Sequence, residues 1–181
     1  GCDSPHQFAA AIGAAAHVHE VAARLGSPMD ILDIGGGFPG DRDENFVAIA
    51  SAIRGALHEH FPSSRGVDLI AEPGRFLAHE THTLMVNVIG KKEVRSESGE
   101  VNSMYYVNDG IYASFNCIMY DHYHPTPTEA LDSEGKRMHS EPTTASVWGN
   151  TCDALDCIVR DTQLPALSVG DWLRFDSMGA Y

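Results

Sequence analysis

The sequence predicts an α/β region followed by a β-rich region, with the change between His79 and Thr83. Three observations carry this reading. Up to Arg75, runs with helical period alternate with short strand-like runs. Beyond Arg75 the apolar runs are short, β-branched or aromatic, and separated by turns. Two glycine-bearing segments, Gly35-Gly36-Gly37-Phe38 and Glu72-Pro73-Gly74-Arg75, each follow a strand-like run in the first region.

Residues 5–25 are alanine-rich, with Phe8, Ile12, Ala15, Val21 and Leu25 near helical spacing, and Gly26-Ser27-Pro28 stops the helix. Residues 29–34 (MDILDI) then read as a strand. Phe46, Ile49, Ala50, Ile53, Leu57 and Phe61 recur with the period of one helix face, and residues 67–71 (VDLIA) read as a second strand. Together they make a β-α-β unit. Its crossover makes the strands parallel, so the two post-strand loops open on the same edge of the sheet. Consecutive glycines let a ligand approach the backbone N–H groups, and Arg75 offers a fork of donors suited to phosphate. Glu72 adds the opposite charge. The pair suits a ligand with an anionic and a cationic end.

After Arg75, residues 83–89 (TLMVNVI), 104–107 (MYYV), 145–148 (ASVW) and 172–175 (WLRF) read as strands. Glu97-Ser98-Gly99, Asp109-Gly110 and Val169-Gly170-Asp171 mark turns. Residues 122–142 are rich in Pro, Ser, Thr and charge without a clear period, and are expected to form a long, mobile surface loop. No internal repeat is visible.

The bulk numbers bound the function. With 181 residues, one domain or two small ones can bury a sizeable core. The formal charge of −13 argues against nucleic acid as a partner and is compatible with a cationic small molecule. No long apolar run suggests a membrane span, and no opening segment resembles a signal peptide, so a soluble protein is expected. The chain opens on Gly1, as a processed protein or a piece of a longer one would. Cys2, Cys117, Cys152 and Cys157 form no CxxC pair and are expected to be reduced thiols in the cytoplasm. The histidine pairs His17/His19, His58/His60 and His122/His124 lack the spacing of a zinc site, so no metal is expected.

Three clusters lie just beyond β runs: Asn108-Asp109, Cys152-Asp153 and the terminal Met178-Gly179-Ala180-Tyr181. Asp109 in isolation reads as a turn former. Cys152, among polar turn residues, is placed where a thiol can act as nucleophile or proton donor.

In this order the clusters resemble the eukaryotic ornithine decarboxylases, pyridoxal-phosphate decarboxylases with the alanine-racemase-like fold. The segments that carry the resemblance are LDIGGGFPG (32–40), AEPGRF (71–76), YYVNDGIYASFNCIMYDH (105–122), WGNTCDALD (148–156) and VGDWLRFDSMGAY (169–181). The resemblance implies part of a TIM-type β/α barrel over residues 1–80 and a truncated β-rich domain over residues 81–181. It implies pyridoxal 5'-phosphate as cofactor, its phosphate held by Gly36, Gly37 and Arg75 with Tyr181 closing on it, Glu72 facing the pyridine nitrogen, and Pro73 and Gly74 also among the cofactor-binding residues. It further implies L-ornithine as substrate, bound by Asn108, Asp109 and a partner subunit's Asp153, with a partner's Cys152 as proton donor in a homodimer with shared active sites.

The family's Schiff-base lysine has no counterpart, since Lys91, Lys92 and Lys136 lie in other regions. The chain is therefore expected to be a central-to-C-terminal piece that does not turn over alone. Ala113, Asn150 and Ala154 stand where relatives commonly have Gly, Pro and Gly. Three alternatives remain open: an antizyme-inhibitor-like protein that binds antizyme without catalysis, a sister enzyme acting on arginine, lysine or diaminopimelate, and a phosphate-sugar-binding barrel enzyme.

Overall fold

Pro5 occupies the first turn of helix α1 (Pro5–Arg24), where its missing N–H has no helical partner to lose. Phe8, Ile12 and Ala16 form the buried stripe of this helix. Helix α2 (Glu44–His60) starts at Asp43, whose carboxylate accepts from Phe46 N at 2.9 Å, and buries Ile49, Ile53 and Ala56. Between the helices, Leu32 on β1 (Ile31–Asp33) and Phe38 join the same core, Phe8 and Phe38 stacking with centroids 5.5 Å apart. Strand β2 (Asp68–Ile70) pairs with β1 in parallel, Leu32 opposite Leu69. This is the expected β-α-β unit, with both strands shorter than the apolar runs that contain them. A short helix α3 (Gly74–Ala78) follows.

This computed structural model describes residues 2, 4–40, 43–95, 99, 101–121 and 123–180. The chain divides into two compact units, Gly1–His79 and Glu80–Tyr181. The fold class is α/β plus β.

The second unit is a six-stranded sheet in the order β5-β8-β3-β4-β6-β7. Its strands are β3 (Leu84–Arg95), β4 (Val101–Val107), β5 (Glu129–Leu131), β6 (Thr143–Trp148), β7 (Cys157–Leu164) and β8 (Trp172–Phe175). The first part of β3 pairs with β8, from Leu84 opposite Phe175 to Asn87 opposite Trp172. Its remainder pairs with β4, from Val88 opposite Val107 to Arg95 opposite Val101, with a register shift between Val88 and Gly90. One strand thus belongs to both halves of the sheet. A bulge at this point bends the strand, and Val86, Val88, Tyr105, Val107, Val147, Leu173 and Phe175 close a common core. The β4-β6 pair is parallel and the other pairs are antiparallel.

Two expectations need correction. Residues 122–142 are not a featureless loop, because β5 lies within them and pairs with β8, burying Ala130. Met138 N returns to Ala130 O at 2.9 Å, and Glu129 meets both Arg137 (3.1 Å) and Arg174 (3.3 Å). Three residues are too few to display a period, and the partner strand fixes them. Strand β7 was missed as well. Arg160 and Asp161 break its apolar run, and Asp161 sits at φ 50° beside the register shift on β6. Helix α4 (Cys117–Tyr120) is one further short turn, burying Cys117.

Candidate active site

In the first unit the parallel pairing continues past the strand ends. Ile34 N donates to Ile70 O (2.9 Å) and Glu72 N to Gly35 O (2.8 Å), so the glycine loop and the Glu72 loop are stitched together. Gly35 N turns back onto Asp33 Oδ1 at 2.8 Å. A Cβ on Gly36 would lie 2.4 Å from Glu72 O, so only glycine permits this approach. Gly35 and Gly37 have φ of 69° and 77°, the left-handed region that favours glycine. Gly74 N donates to Glu72 O (2.8 Å), and the tight turn through Pro73 leads Gly74 and Arg75 into α3. Phe46 stacks on Phe76 at 4.7 Å and fixes that short helix on α2. The structure therefore brings Gly36, Gly37, Glu72, Pro73, Gly74 and Arg75 onto two touching loops, with Glu72 exposed and Arg75 half-buried.

In the second unit Asn108 follows β4 and exchanges two bonds with Asn87, whose N–H donates to Asn108 Oδ1 at 2.8 Å while its carbonyl accepts from Asn108 N at 3.1 Å. Asp109 Oδ1 accepts from Gly110 N (2.7 Å) and Ser114 N (3.0 Å), shaping the turn that delivers Ile111 and Phe115 to the core. The turn-forming role of Asp109 is thus real. It occupies one carboxylate oxygen and leaves Oδ2 outside those bonds.

Cys152 and Asp153 lie on the exposed turn between β6 and β7. Asp153 Oδ1 accepts from Leu155 N (2.9 Å), and Tyr112 Oη donates to Asp153 Oδ2. The Leu155 N–H, followed by the Tyr112 hydroxyl, holds the Asp153 carboxyl below its ordinary pKa. The same contact pushes the Tyr112 hydroxyl up, because its proton is held by the carboxylate.

Sequence reasoning passed over Tyr112 and Asp156. Asp156 is 1% exposed. Its Oδ1 accepts from Ile111 N (2.9 Å), and its Oδ2 accepts from Thr151 N (3.1 Å) and Thr151 Oγ1 (2.6 Å). The available signal was a pair of glycines, Gly110 and Gly149, where a Cβ would come within 2.4 and 2.1 Å of Asp156 Oδ1. Asn150 adds a bond from its Nδ2 to Asn108 O at 3.4 Å. Tyr181 lies outside the described residues, as does His122. Met178 N donates to His82 O at 2.9 Å and anchors the segment that leads to Tyr181. Among the described residues, no group of three or more His, Cys, Asp or Glu is placed to hold a metal ion.

The family described as pyridoxal-dependent decarboxylase, C-terminal sheet domain, matches residues 29–179. The chain belongs to this family. Mouse (Mus musculus) ornithine decarboxylase is 46% identical over 192 residues, covering all of this chain and 41% of the mouse protein. Antizyme inhibitor 2 of Xenopus laevis is also 46% identical, over 196 residues, again covering the whole chain and 41% of the relative. Among solved structures, the arginine decarboxylase of Paramecium bursaria Chlorella virus bound to agmatine superposes with a TM-score of 0.84 at 31% identity, over 99% of this chain and 46% of the viral one. The chain thus spans about two-fifths of the length of the curated relatives it matches.

Pyridoxal phosphate is the cofactor of this decarboxylase family. The donor set present here fits it. Gly36 is kept free of a side chain by its contact with Glu72 O, the two joined loops carry Gly36, Gly37 and Arg75, residues suited to a phosphate, and the Glu72 carboxylate stands in the same loop as Arg75, suited to a protonated ring nitrogen.

Proposed function

We propose that this chain is the part of an ornithine decarboxylase that binds the cofactor phosphate and reads the substrate, in an enzyme converting L-ornithine to putrescine and carbon dioxide. The observation that carries the reading is the exposed Cys152-Asp153 turn, with its carboxylate oriented by Tyr112, in a chain 46% identical to mouse ornithine decarboxylase. Residues 1–80 would be the C-terminal part of the barrel and residues 81–181 the incomplete β-rich domain.

When bound, pyridoxal phosphate supplies the electron sink that makes loss of carbon dioxide possible. Gly36, Gly37 and Arg75 hold its phosphate, with Tyr181, while Pro73 and Gly74 shape the turn of the cofactor loop and Glu72 keeps the ring nitrogen protonated. Asp109 offers the distal amine of ornithine its Oδ2, the oxygen outside the turn bonds. Asp153 supplies a second carboxylate, oriented by the Leu155 N–H and the Tyr112 hydroxyl, which also hold its pKa below the ordinary value. Two carboxylates around one amine select a diamino acid, since an uncharged side chain would leave them unpaired. Asn108 fixes the backbone from which Asp109 projects. Cys152 delivers a proton to the α-carbon. In this reading the enzyme is a cytoplasmic homodimer in which Cys152 and Asp153 serve the partner's site.

One observation favours a second reading, a non-catalytic regulator that binds antizyme: the equal identity to antizyme inhibitor 2. The deciding experiment measures carbon dioxide release from labelled ornithine, arginine and lysine by the full-length protein with pyridoxal phosphate, beside a Cys152→Ala variant. Release from ornithine alone, slowed or misdirected in the variant, supports the decarboxylase. Release from arginine or lysine instead moves the reading to a sister enzyme. Silence with all three supports the regulator.

A further inference from the structure

The Asp109 turn and the Cys152-Asp153 turn are separated in sequence but share one buried acceptor. We propose that Asp156 is a positioning residue that locks these two turns into one block, fixing the relation between the carboxylate that reads the amine and the thiol that delivers the proton. The inference rests on the decarboxylase reading for its catalytic meaning.

Four features of the two turns converge on it. The Asp156 carboxylate takes one donor from the first turn, Ile111 N, and two from the second, Thr151 N and Thr151 Oγ1. Its main chain closes the second turn too, Gly149 N donating to Asp156 O (2.8 Å) and Asp156 N to Asp153 O (3.0 Å). Gly110 and Gly149, one from each turn, leave the space that the carboxylate fills. At 1% exposure the Asp156 carboxylate is itself withdrawn from water, so it depends on these bonds. A carboxylate that only capped its own turn would need none of the contacts to Ile111 and Gly110. Both oxygens of an ionised carboxylate accept, whereas a carboxamide must turn its NH2 toward a main-chain N–H, Ile111 N in one turn or Thr151 N in the other, and loses that bond. If the active sites are shared across a homodimer, the same side chain ties a turn serving one site to a turn serving the other.

The test uses the full-length protein and the variants Asp156→Asn, Thr151→Val and Thr151→Ser. Amide hydrogen exchange is followed in peptides covering residues 108–115 and 149–156, without substrate, together with site-resolved alkylation of Cys152 by iodoacetamide. Ornithine kinetics are then measured on the folded fraction. In Asp156→Asn, exchange should rise about tenfold in both peptides together, as expected for loss of a charge-assisted bond. Cys152 alkylation should change with it, and KM should rise while kcat falls. Thr151→Val removes one of the three bonds and should loosen residues 108–115 as well, although Thr151 is not in that turn, while Thr151→Ser should restore the wild-type pattern. If Asp156→Asn does not fold, Thr151→Val alone carries the test. The proposal is overturned if exchange rises only in residues 149–156, or if activity falls only in proportion to the folded fraction. A wild-type protein that releases no carbon dioxide would defeat the decarboxylase reading, and the exchange data would still decide the coupling.

Discussion

In the unit Glu80–Tyr181 the strand residues Val88, Tyr105, Val107, Val147, Leu173 and Phe175 are fully sequestered, whereas in Gly1–His79 the strand residues Ile31, Leu69 and Ile70 are 50, 50 and 44% exposed. The sheet of the second unit curls through the bulge on β3 and covers its own apolar side chains. A parallel pair has no such recourse. Its strands are apolar on both faces because parallel sheets are normally covered on both, and here only Leu32 of β1 and β2 is buried, beneath the helices. One unit holds its loops on a self-sufficient core. The other holds its loops mainly through main-chain bonds between neighbouring turns.

The sharpest way to break this contrast is to truncate one apolar side chain in each unit. Phe175 is fully buried and meets Phe115 edge-on at 4.9 Å, so Phe175→Ala should cost about 3–5 kcal/mol by thermal or urea unfolding. Leu69→Ala, at a half-exposed strand position, should cost below about 1 kcal/mol. Equal losses would show that β2 is covered in solution.

The next effect tests whether main-chain stitching really holds the first unit's loops. Gly36→Ala places a methyl group 2.4 Å from Glu72 O and must part the two loops, at a cost of about 1–3 kcal/mol. Weaker retention of pyridoxal phosphate, followed by its absorbance after gel filtration, should accompany the loss. Full cofactor retention with unchanged stability would mean that the loops are not tightly joined.

The smallest effect separates the units by pH. The Asp176 carboxyl is held below its ordinary pKa chiefly by a hydrogen bond from Thr128, with Thr83 and Arg174 adding to it. A depressed carboxyl stabilises the fold above its unfolded pKa and loses that contribution as pH falls through the folded value. Stability of the second unit should therefore be flat above about pH 5 in this respect and decline at more acid pH. Asp176→Asn should flatten the decline slightly, because the group is partly exposed and screened. An acid profile unaffected by that substitution would remove Asp176 from the account.

Much of this was legible in the residues themselves. The helical stripe through Ile49 and Ile53 predicted α2, the glycine run beside an Arg-bearing loop predicted two loops meeting at parallel strand ends, and the short β-rich run at residues 172–175 predicted β8. The order of the motifs pointed to the decarboxylase family. These features are local, set by side-chain period, by the backbone freedom of glycine and by turn chemistry, and a linear sequence displays them directly. Strand β5, strand β7 and the buried role of Asp156 were decided only by tertiary structure. Three residues acquire strand character from their partner β8, a charged run is tolerated where a bulge turns Asp161 outward, and an Asp in a turn looks like any other cap until Ile111 and Thr151 meet on it. Each depends on groups distant in sequence satisfying one another's hydrogen bonds away from water, and only the folded chain brings those groups together.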